Sequence, residues 1–537
     1  MKLLSRRALR IVFVACSFTA VSASAAPIAP AAVDALVGRT MKTFDVPGIA
    51  VAIIQDDKVI YSRGHGVRSL RTGQKVDEHT MFGIASNSKA FTAAALAMLV
   101  DEKKIKWTDK VSDYLPEFKM YNPYVTDEFT LFDLLTHRSG LGLGAGDLML
   151  FPDGADFTRA DIIRNLRYLK PVSSFRSQYD YDNNLYIVAG EVLARVAGMS
   201  WEDFVEQRIM RKLGMNDSAA SPKRLKNRAN FAEPHVAVHG KLQTSDAEVG
   251  AVSNPAGGIY TNLADISKWV RMQLNGGKYG DGQHLFSEAV QWTMWSPQTI
   301  IPVAPKPNPY NTHFAAYGLG WIVSDVKGYK QVSHTGGLIG MVTQVTLIPE
   351  LKLGIVVLTN QQSDAAFTAI TNTIKDSYLG MPATDRVAEQ RKRVDQEEAE
   401  ALNVTAAVEA SIAAQQKAAN KTDAGADVAQ FAGTYRDAWL GDVTISYKDG
   451  QLHFASKRSP KLAGAMSRYR GSSFVVRWND RSMDADAFVN FALGTDGNPT
   501  GMTMAAISPL TDFSFDFQDL QFQLLPPQAA AAAASAH

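Results

Sequence analysis

Three short stretches of this 537-residue chain carry side chains that could do nucleophilic chemistry. In Ser86-Asn-Ser-Lys89 a hydroxyl and an amine lie three residues apart, which puts them on one helix face and lets the amine reach the serine proton. A hydroxyl relieved of that proton can attack a carbonyl carbon and hold the acyl group covalently. The tetrapeptide alone serves equally well as a helix cap, and Ser324-Asp-Val-Lys327 matches the same pattern. Context separates the two: Ser86 opens a long apolar run from Lys89 to Val100, whereas Ser324 lies in a glycine-rich, strand-like setting with no helix behind it.

The second stretch is Tyr181-Asp-Asn183. A buried phenol is ordinarily a core hydrogen-bonding group, but beside a lysine ammonium its ionised form is favoured and it could act as a general base. Tyr260-Thr-Asn262 has the same form, yet it follows Gly257-Gly258 and leads into a polar helix start at Asp265, so it reads as structural. The third stretch is His334-Thr335-Gly336-Gly337, just ahead of a strand beginning at Val342. Glycines there admit a substrate backbone to a strand edge, where exposed amides can bind a developing oxyanion. The order and spacing of the three stretches together point to acyl transfer.

The elements that must position these residues follow from the patterning. Ile49–Ile54 and Val59–Arg63 are β-rich runs joined by the turn-prone Gln55-Asp-Asp-Lys58, a hairpin pattern. From Asp109 to about Gly214 the patterns are mostly helical and broken by polar loops, as expected of a helical subdomain. Val342–Ile348 and Gly354–Thr359 make a second hairpin, and Ala365–Leu379 is helical. Strands at both ends with helices between them predict an α+β fold, an antiparallel sheet assembled from the two termini and flanked by helices. Between Asp385 and Asp427 charged residues and alanine dominate, which predicts a partly helical linker. Beyond it Val443–Tyr447, Gln451–Ala455 and Phe474–Trp478 read as strands, and so does Phe513-Ser-Phe-Asp-Phe517, whose alternation would put aromatics on one strand face. A small C-terminal all-β domain is predicted.

Taken together, the three stretches resemble the penicillin-recognising serine enzymes: class C β-lactamases, D-alanyl-D-alanine carboxypeptidases, D-aminopeptidases and family VIII carboxylesterases. Tyr-x-Asn and His-Thr-Gly are similar to the class C-like peptidase and esterase branch, supported by Leu134-Leu-Thr-His-Arg-Ser-Gly-Leu141, Pro255-Ala-Gly-Gly258 and Tyr317-Gly-Leu-Gly-Trp321. The likeness runs from about Ala32 to Leu379, and the segment from about Phe431 to Phe522 resembles a β-rich accessory domain found on many such hydrolases. It implies a β-lactamase/transpeptidase-like fold with Ser86 as nucleophile and Lys89 as its proton acceptor or electrostatic activator. Tyr181 would pass the proton to the leaving group and later activate water, and Asn183 would orient substrate or Lys89. His334, Thr335, Gly336 and Gly337 would bind substrate, with the amides of Ser86 and Gly337 as the oxyanion hole. No cofactor and no metal are implied, and the histidines lack a ligand spacing such as His-Glu-x-x-His. His137 reads as a loop-stabilising residue.

Composition narrows the setting. With 55 basic and 54 acidic side chains the chain has no global field to recruit nucleic acid or an anionic membrane. Lys2, Arg6, Arg7 and Arg10 precede an apolar run from Ile11 to Val21 and then Ala23-Ser-Ala25, the pattern of a cleaved export signal and too short for a stable membrane span. Cys16 is the only cysteine and lies within that signal, and Phe13 fits a lipoprotein signal poorly, so the mature chain is expected to be periplasmic or secreted without disulfides. The expected organisation is a signal peptide over 1–25, a hydrolase domain over 26–384, a linker over 385–427, the β-rich domain over 428–525 and a disordered tail over 526–537.

Where β-lactamases have a lysine, His334 has a reference pKa of about 6.5 and is mostly neutral at pH 7, which argues against strong β-lactamase activity. The expected substrates are small peptides, including ones with a D-residue, and then esters. Two readings from other classes are a penicillin-binding sensor that acylates without turnover and a binding protein that docks through its β-rich domain. Removing that domain separates a docking module from one that shares a core with the rest.

Overall fold

A computed structural model describes residues 27–526 apart from 239, 306–307 and 420–427. The expected signal peptide, the end of the linker and nearly all of the expected tail lie outside the described residues.

The N-terminal region is built on one eight-stranded antiparallel sheet. Its strands are β1 (Gly48–Gln55), β2 (Lys58–Gly66), β3 (Thr299–Ile301), β4 (Ala315–Tyr317), β5 (Ile322–Val326), β6 (Tyr329–Leu338), β7 (Met341–Ile348) and β8 (Leu353–Thr359). They lie in the order β2-β1-β8-β7-β6-β5-β4-β3, so the chain's first hairpin joins its last strands with Ile49 opposite Thr359. The β1–β2 hairpin turns through Asp56 and Asp57, both at positive φ (49° and 63°), which matches the right-handed twist of the flanking strands.

Alternation along β1 assigns its two faces. Ile49, Val51 and Ile53 join Val33 and Val37 of α1 (Pro30–Thr43) and Ile370 of a later helix in one core. Ala50, Ala52 and Ile54 join Phe91 of α2 (Ser88–Asp101) in the other. The run from Ser88 to Leu99 is buried on every side of α2. Its alanines let neighbours approach closely, and the Phe91 ring stacks on Trp269 at 3.8 Å between centroids. Further helices are α3 (Asn184–Ala197), α4 (Leu263–Leu274), which carries Trp269, and α5 (Asp364–Tyr378), which carries Ile370. Between Asp109 and Gly214 the regular elements are all helical, as the patterning of that stretch predicts.

The expected linker is largely a single 34-residue helix, α6 (Arg386–Ala419). Its first turn is fixed by Arg386 on Asp376 of α5 at 2.7 Å, and farther along Val408 and Ile412 pack on Val475. Apolar residues of this charged stretch thus seat the helix on each body, although Leu402 and Val404 between them are exposed.

The C-terminal region is a closed eight-stranded barrel. Its strands are β9 (Gly433–Asp437), β10 (Gly441–Lys448), β11 (Gln451–Ser456), β12 (Ala463–Arg470), β13 (Ser473–Trp478), β14 (Ala487–Leu493), β15 (Pro499–Ala506) and β16 (Phe522–Leu524). Phe513–Phe517 is not one of them. The β15–β16 connection is a turn-rich loop ending in a short helical turn over Phe517–Asp519. Phe515 and Phe517 do share an environment in the barrel core, but backbone bonds such as Phe515 N to Asp512 O (3.0 Å) close local turns and not a ladder. Period-two alternation cannot tell a strand from a loop whose odd residues are tucked inward.

The barrel does not stand apart. One apolar cluster contains residues of both regions, Leu148 and Ile162 together with Trp439 and Phe517. Arg458 binds Asp156 (2.7 Å) and Asp161 (2.9 Å) and covers the Phe157 ring, and Asn165 Nδ2 donates to the Trp439 carbonyl at 2.9 Å. A chain ending at residue 427 therefore exposes apolar surface that is buried here. It is expected to lose soluble yield or to unfold at a markedly lower temperature than the full chain. Equal midpoints in a thermal melt would show the regions to be independent.

Candidate active site

Ser86 lies on a short helical turn, Ala85–Asn87, that leads directly into α2 rather than in the first turn of α2 itself. The turn is held from several directions. Asn87 Nδ2 donates to Thr343 Oγ1 (2.9 Å), Thr343 Oγ1 donates to the Ile84 carbonyl (3.1 Å), and the Ile259 amide donates to Ser88 Oγ (3.1 Å). Ala85 sits at φ 47°, a left-handed conformation that alanine avoids at a cost of order 1–3 kcal/mol, so these bonds maintain strain next to Ser86.

Lys89 is fully buried one turn on, with its Nζ 3.0 Å from Ser86 Oγ, 2.7 Å from Asn183 Oδ1 and 3.1 Å from the Ala256 carbonyl. Burial brings its pKa down to about 7, although Asp147 and Asp182 pull in the opposite direction. Two of its partners are carbonyl oxygens and can only accept. In the neutral amine both N–H groups are thereby committed, and the lone pair is left for the Ser86 hydroxyl.

Tyr181 is brought against both groups. Its hydroxyl lies close enough to Ser86 for the serine to favour the ionised phenol, and Lys89 Nζ lies 4.7 Å from the ring centroid. Part of the residue opens on the cleft, yet its neighbours enclose the phenol, and burial pushes its pKa well above the usual tyrosine range. The expectation that the nearby amine favours a phenolate is therefore corrected: desolvation outweighs that attraction. His137 packs on Tyr181 with ring centroids 4.3 Å apart and accepts the Asp182 amide at Nδ1 (3.0 Å), so it braces the loop that presents Tyr181.

The third stretch lies inside β6. Pairing with β5 ends at Ser333, so His334–Leu338 is paired only to β7 and its other edge faces the cleft. Thr335 and Gly337 are exposed there, while His334 and Gly336 turn inward. His334 Nδ1 must donate to the Thr335 carbonyl (2.6 Å), so its Nε2 accepts from the Tyr317 hydroxyl (2.8 Å). Burial drives its pKa down to about 3, and the ring is neutral. Gly336 lies against the Ser86 turn, where an added Cβ would stand 2.2 Å from the Ile84 oxygen; at Gly337 nothing lies within 4 Å.

Ser86, Tyr181, Asn183, His334, Thr335 and Gly337 line a cleft of about 310 Å³, a volume suited to a small molecule. Asp512, Phe513 and Ser514 line it too, carried on the barrel's β15–β16 loop. Sequence reasoning missed these three, as well as Asp147, which binds Asn183 Nδ2 at 2.7 Å. Asp147 and Asp512 belong to no motif, and Phe513 and Ser514 stand out in the sequence only as part of an alternation that reads as a strand and not as a site. Among the described residues no group of three or more His, Cys, Asp or Glu is placed to hold a metal ion.

The Ser86 turn, a buried lysine, a Tyr-x-Asn loop and a half-paired strand around one cleft agree with a family-level match. The beta-lactamase family model covers residues 33–378, and the chain belongs to that family, whose fold is that of serine hydrolases. Residues 417–524 match a domain of unknown function, DUF3471. The chain is 29% identical over 381 residues to unguisins hydrolase ungD of Aspergillus violaceofuscus, covering 66% of each. It is 25% identical over 341 residues to protein flp of Staphylococcus aureus, covering 62% of this chain and 63% of that one. It thus spans just under two thirds of the length of these curated relatives. The octameric penicillin-binding protein homologue from Pyrococcus abyssi has the same fold, with a TM-score of 0.58 at 18% identity over 92% of this chain and all of that one.

The two glycines of β6 should respond oppositely to alanine. Gly336→Ala is expected to cost about 1–3 kcal/mol through the clash with Ile84. Gly337→Ala should leave stability unchanged, and chemical denaturation of both variants measures the difference.

Proposed function

We propose that the protein is an exported serine hydrolase that cleaves amide bonds of small peptides through an acyl-enzyme on Ser86. The observation that carries this reading is the lysine amine held by two carbonyls with its remaining position on the serine hydroxyl.

Neutral Lys89 takes the Ser86 proton as Oγ bonds to the substrate carbonyl carbon. The carbonyl π pair moves to oxygen, where the amides of Ser86 and Gly337 receive the oxyanion. Tyr181, protonated because its burial disfavours phenolate, gives its proton to the departing amine and is reprotonated from Lys89. The C–N bond breaks as the oxyanion reverts to an ester carbonyl. Water then attacks that ester, delivering its proton along the same groups in reverse and releasing acid and Ser86. Tyr181 acts here as a proton donor and relay.

Substrate preference is argued from charge. His334 is neutral, and among the described residues lining the cleft there is no lysine or arginine to fix a carboxylate. That disfavours β-lactams, and favours uncharged amides and then esters. The name of the Aspergillus relative, a hydrolase, fits this reading. A sensor that acylates without turnover is the competing reading, and the intact set of Ser86, Lys89 and Tyr181 speaks for turnover.

Purified protein should hydrolyse a peptide anilide or p-nitrophenyl ester steadily. Ser86→Ala should abolish this, and intact mass should show an adduct on the wild type that decays; a stoichiometric burst without turnover would instead support the sensor. A substrate panel ranking β-lactams above peptides and esters by kcat/KM would overturn the substrate assignment.

The pH profile gives a further check. The active form of Lys89 is the neutral one, so kcat/KM should fall as the pH drops through about 7 and rise to a plateau above it. An acid limb near pH 4, the range of an ordinary carboxylic acid, would remove Lys89 as the base.

A further inference from the structure

Asn183 can hold Lys89 correctly only if its amide faces the right way. Its Oδ1 accepts from Lys89 (2.7 Å), and its Nδ2 donates to Asp147 Oδ2 (2.7 Å). A rotated amide would turn N–H groups toward the amine and waste both contacts, so the acceptor at Asp147 fixes which end meets Lys89. Asp147 is itself fully buried, and the same Oδ2 accepts a second bond from Ser514 Oγ at 2.9 Å. Ser514 belongs to the barrel's β15–β16 loop, 367 residues away in sequence.

The loop does more than touch Asp147. Asp516 accepts the amides of Gly146 (2.6 Å) and Leu148 (2.9 Å), one on each side of Asp147. Gly144, whose amide donates to the Tyr181 carbonyl (2.8 Å), lies so near the barrel loop that an added Cβ would be 2.6 Å from the Phe513 oxygen. Phe513, 39% exposed, projects into the cleft and meets Tyr181 edge-to-face with centroids 5.8 Å apart. Residues 144–148 are thus clamped between the Tyr181 loop and the barrel.

We propose that Ser514, supplied by the C-terminal barrel, is a positioning residue for hydrolysis: through Asp147 it fixes the Asn183 amide and so the direction in which Lys89 meets Ser86. The barrel is on this account part of the working site. The inference rests on the serine hydrolase reading above.

The test uses the full chain and p-nitrophenyl acetate. Ser514→Ala should lower kcat on the order of tenfold with KM within about twofold, because orientation of the base is lost while the cleft wall loses a single hydroxyl. Ser514→Thr, which keeps the hydroxyl, should recover most of the loss. In an Asn183→Ala background, Ser514→Ala should have no further effect on the residual rate, because the two act through one chain of bonds. Thermal melts establish that each protein is folded. Should Ser514→Ala not fold, Ser514→Cys, which keeps the shape and weakens the donor, takes its place with the same expectation. Wild-type kcat in a folded variant, or independent losses in the double variant, would overturn the inference alone. A wild type that neither turns over the ester nor acquires a Ser86 adduct would overturn the hydrolase reading and the inference with it.

Discussion

A lysine amine with no exposed surface must find all of its partners in protein, and the site is arranged around how Lys89 does so. Losing a partner at such depth leaves a polar group unsatisfied, at about 1–3 kcal/mol or more. The partners come from three separate places: the turn before α2, the loop before α3, and the Pro255–Gly258 stretch. Burial lowers the pKa of the amine, and because two of the partners are carbonyls, the lone pair of the neutral form is left for the third. The strained conformation of Ala85 is maintained next to this network, where it sets the direction of Ser86.

The same desolvation acts on the buried titratable groups around Lys89 and favours the neutral form of each. Lys89 and His334 are shifted down, while Tyr181 and Asp147 are shifted up, and burial is the first cause in each case. A site kept poor in fixed charge screens little. An oxyanion formed there would then be the dominant new charge, and backbone donors aimed at it would act with little competition from water. His334 on β6 follows the same rule: its two nitrogens are spent on Thr335 and Tyr317, which lock the ring in place and leave it without a charge to offer the cleft.

The sequence was informative where interactions are local or patterned. The hairpin at Gln55–Lys58, the buried helix after Ser86 and the β7–β8 hairpin follow from periodicity and turn chemistry, while β6, which carries His334–Gly337, lies where the pattern shows only the approach to a strand. Tyr181 was placed well but its protonation was misjudged, since burial depth is a tertiary property and the attraction of an amine can be imagined from sequence alone. Phe513–Phe517 was misread as a strand for the reason that pattern gives exposure and not hydrogen-bond partners. Helix α6 was read only in part, because its contacts come from a few spaced apolar residues among many charges.

The contacts of Asp147 mark the limit of such reading. Asp147 and Ser514 are ordinary residues in their own stretches, and their bond exists only because the barrel is seated on the helical subdomain by an apolar cluster and the Arg458 ion pairs. Packing at that interface is remote from chemistry by sequence and direct in space. A displacement of the barrel would move Phe513 against Tyr181 and Asp516 against Gly146 and Leu148 at once, so the two regions are coupled mechanically whatever substrate the cleft accepts. Close-packed interfaces transmit small shifts in this way because they have no slack to absorb them.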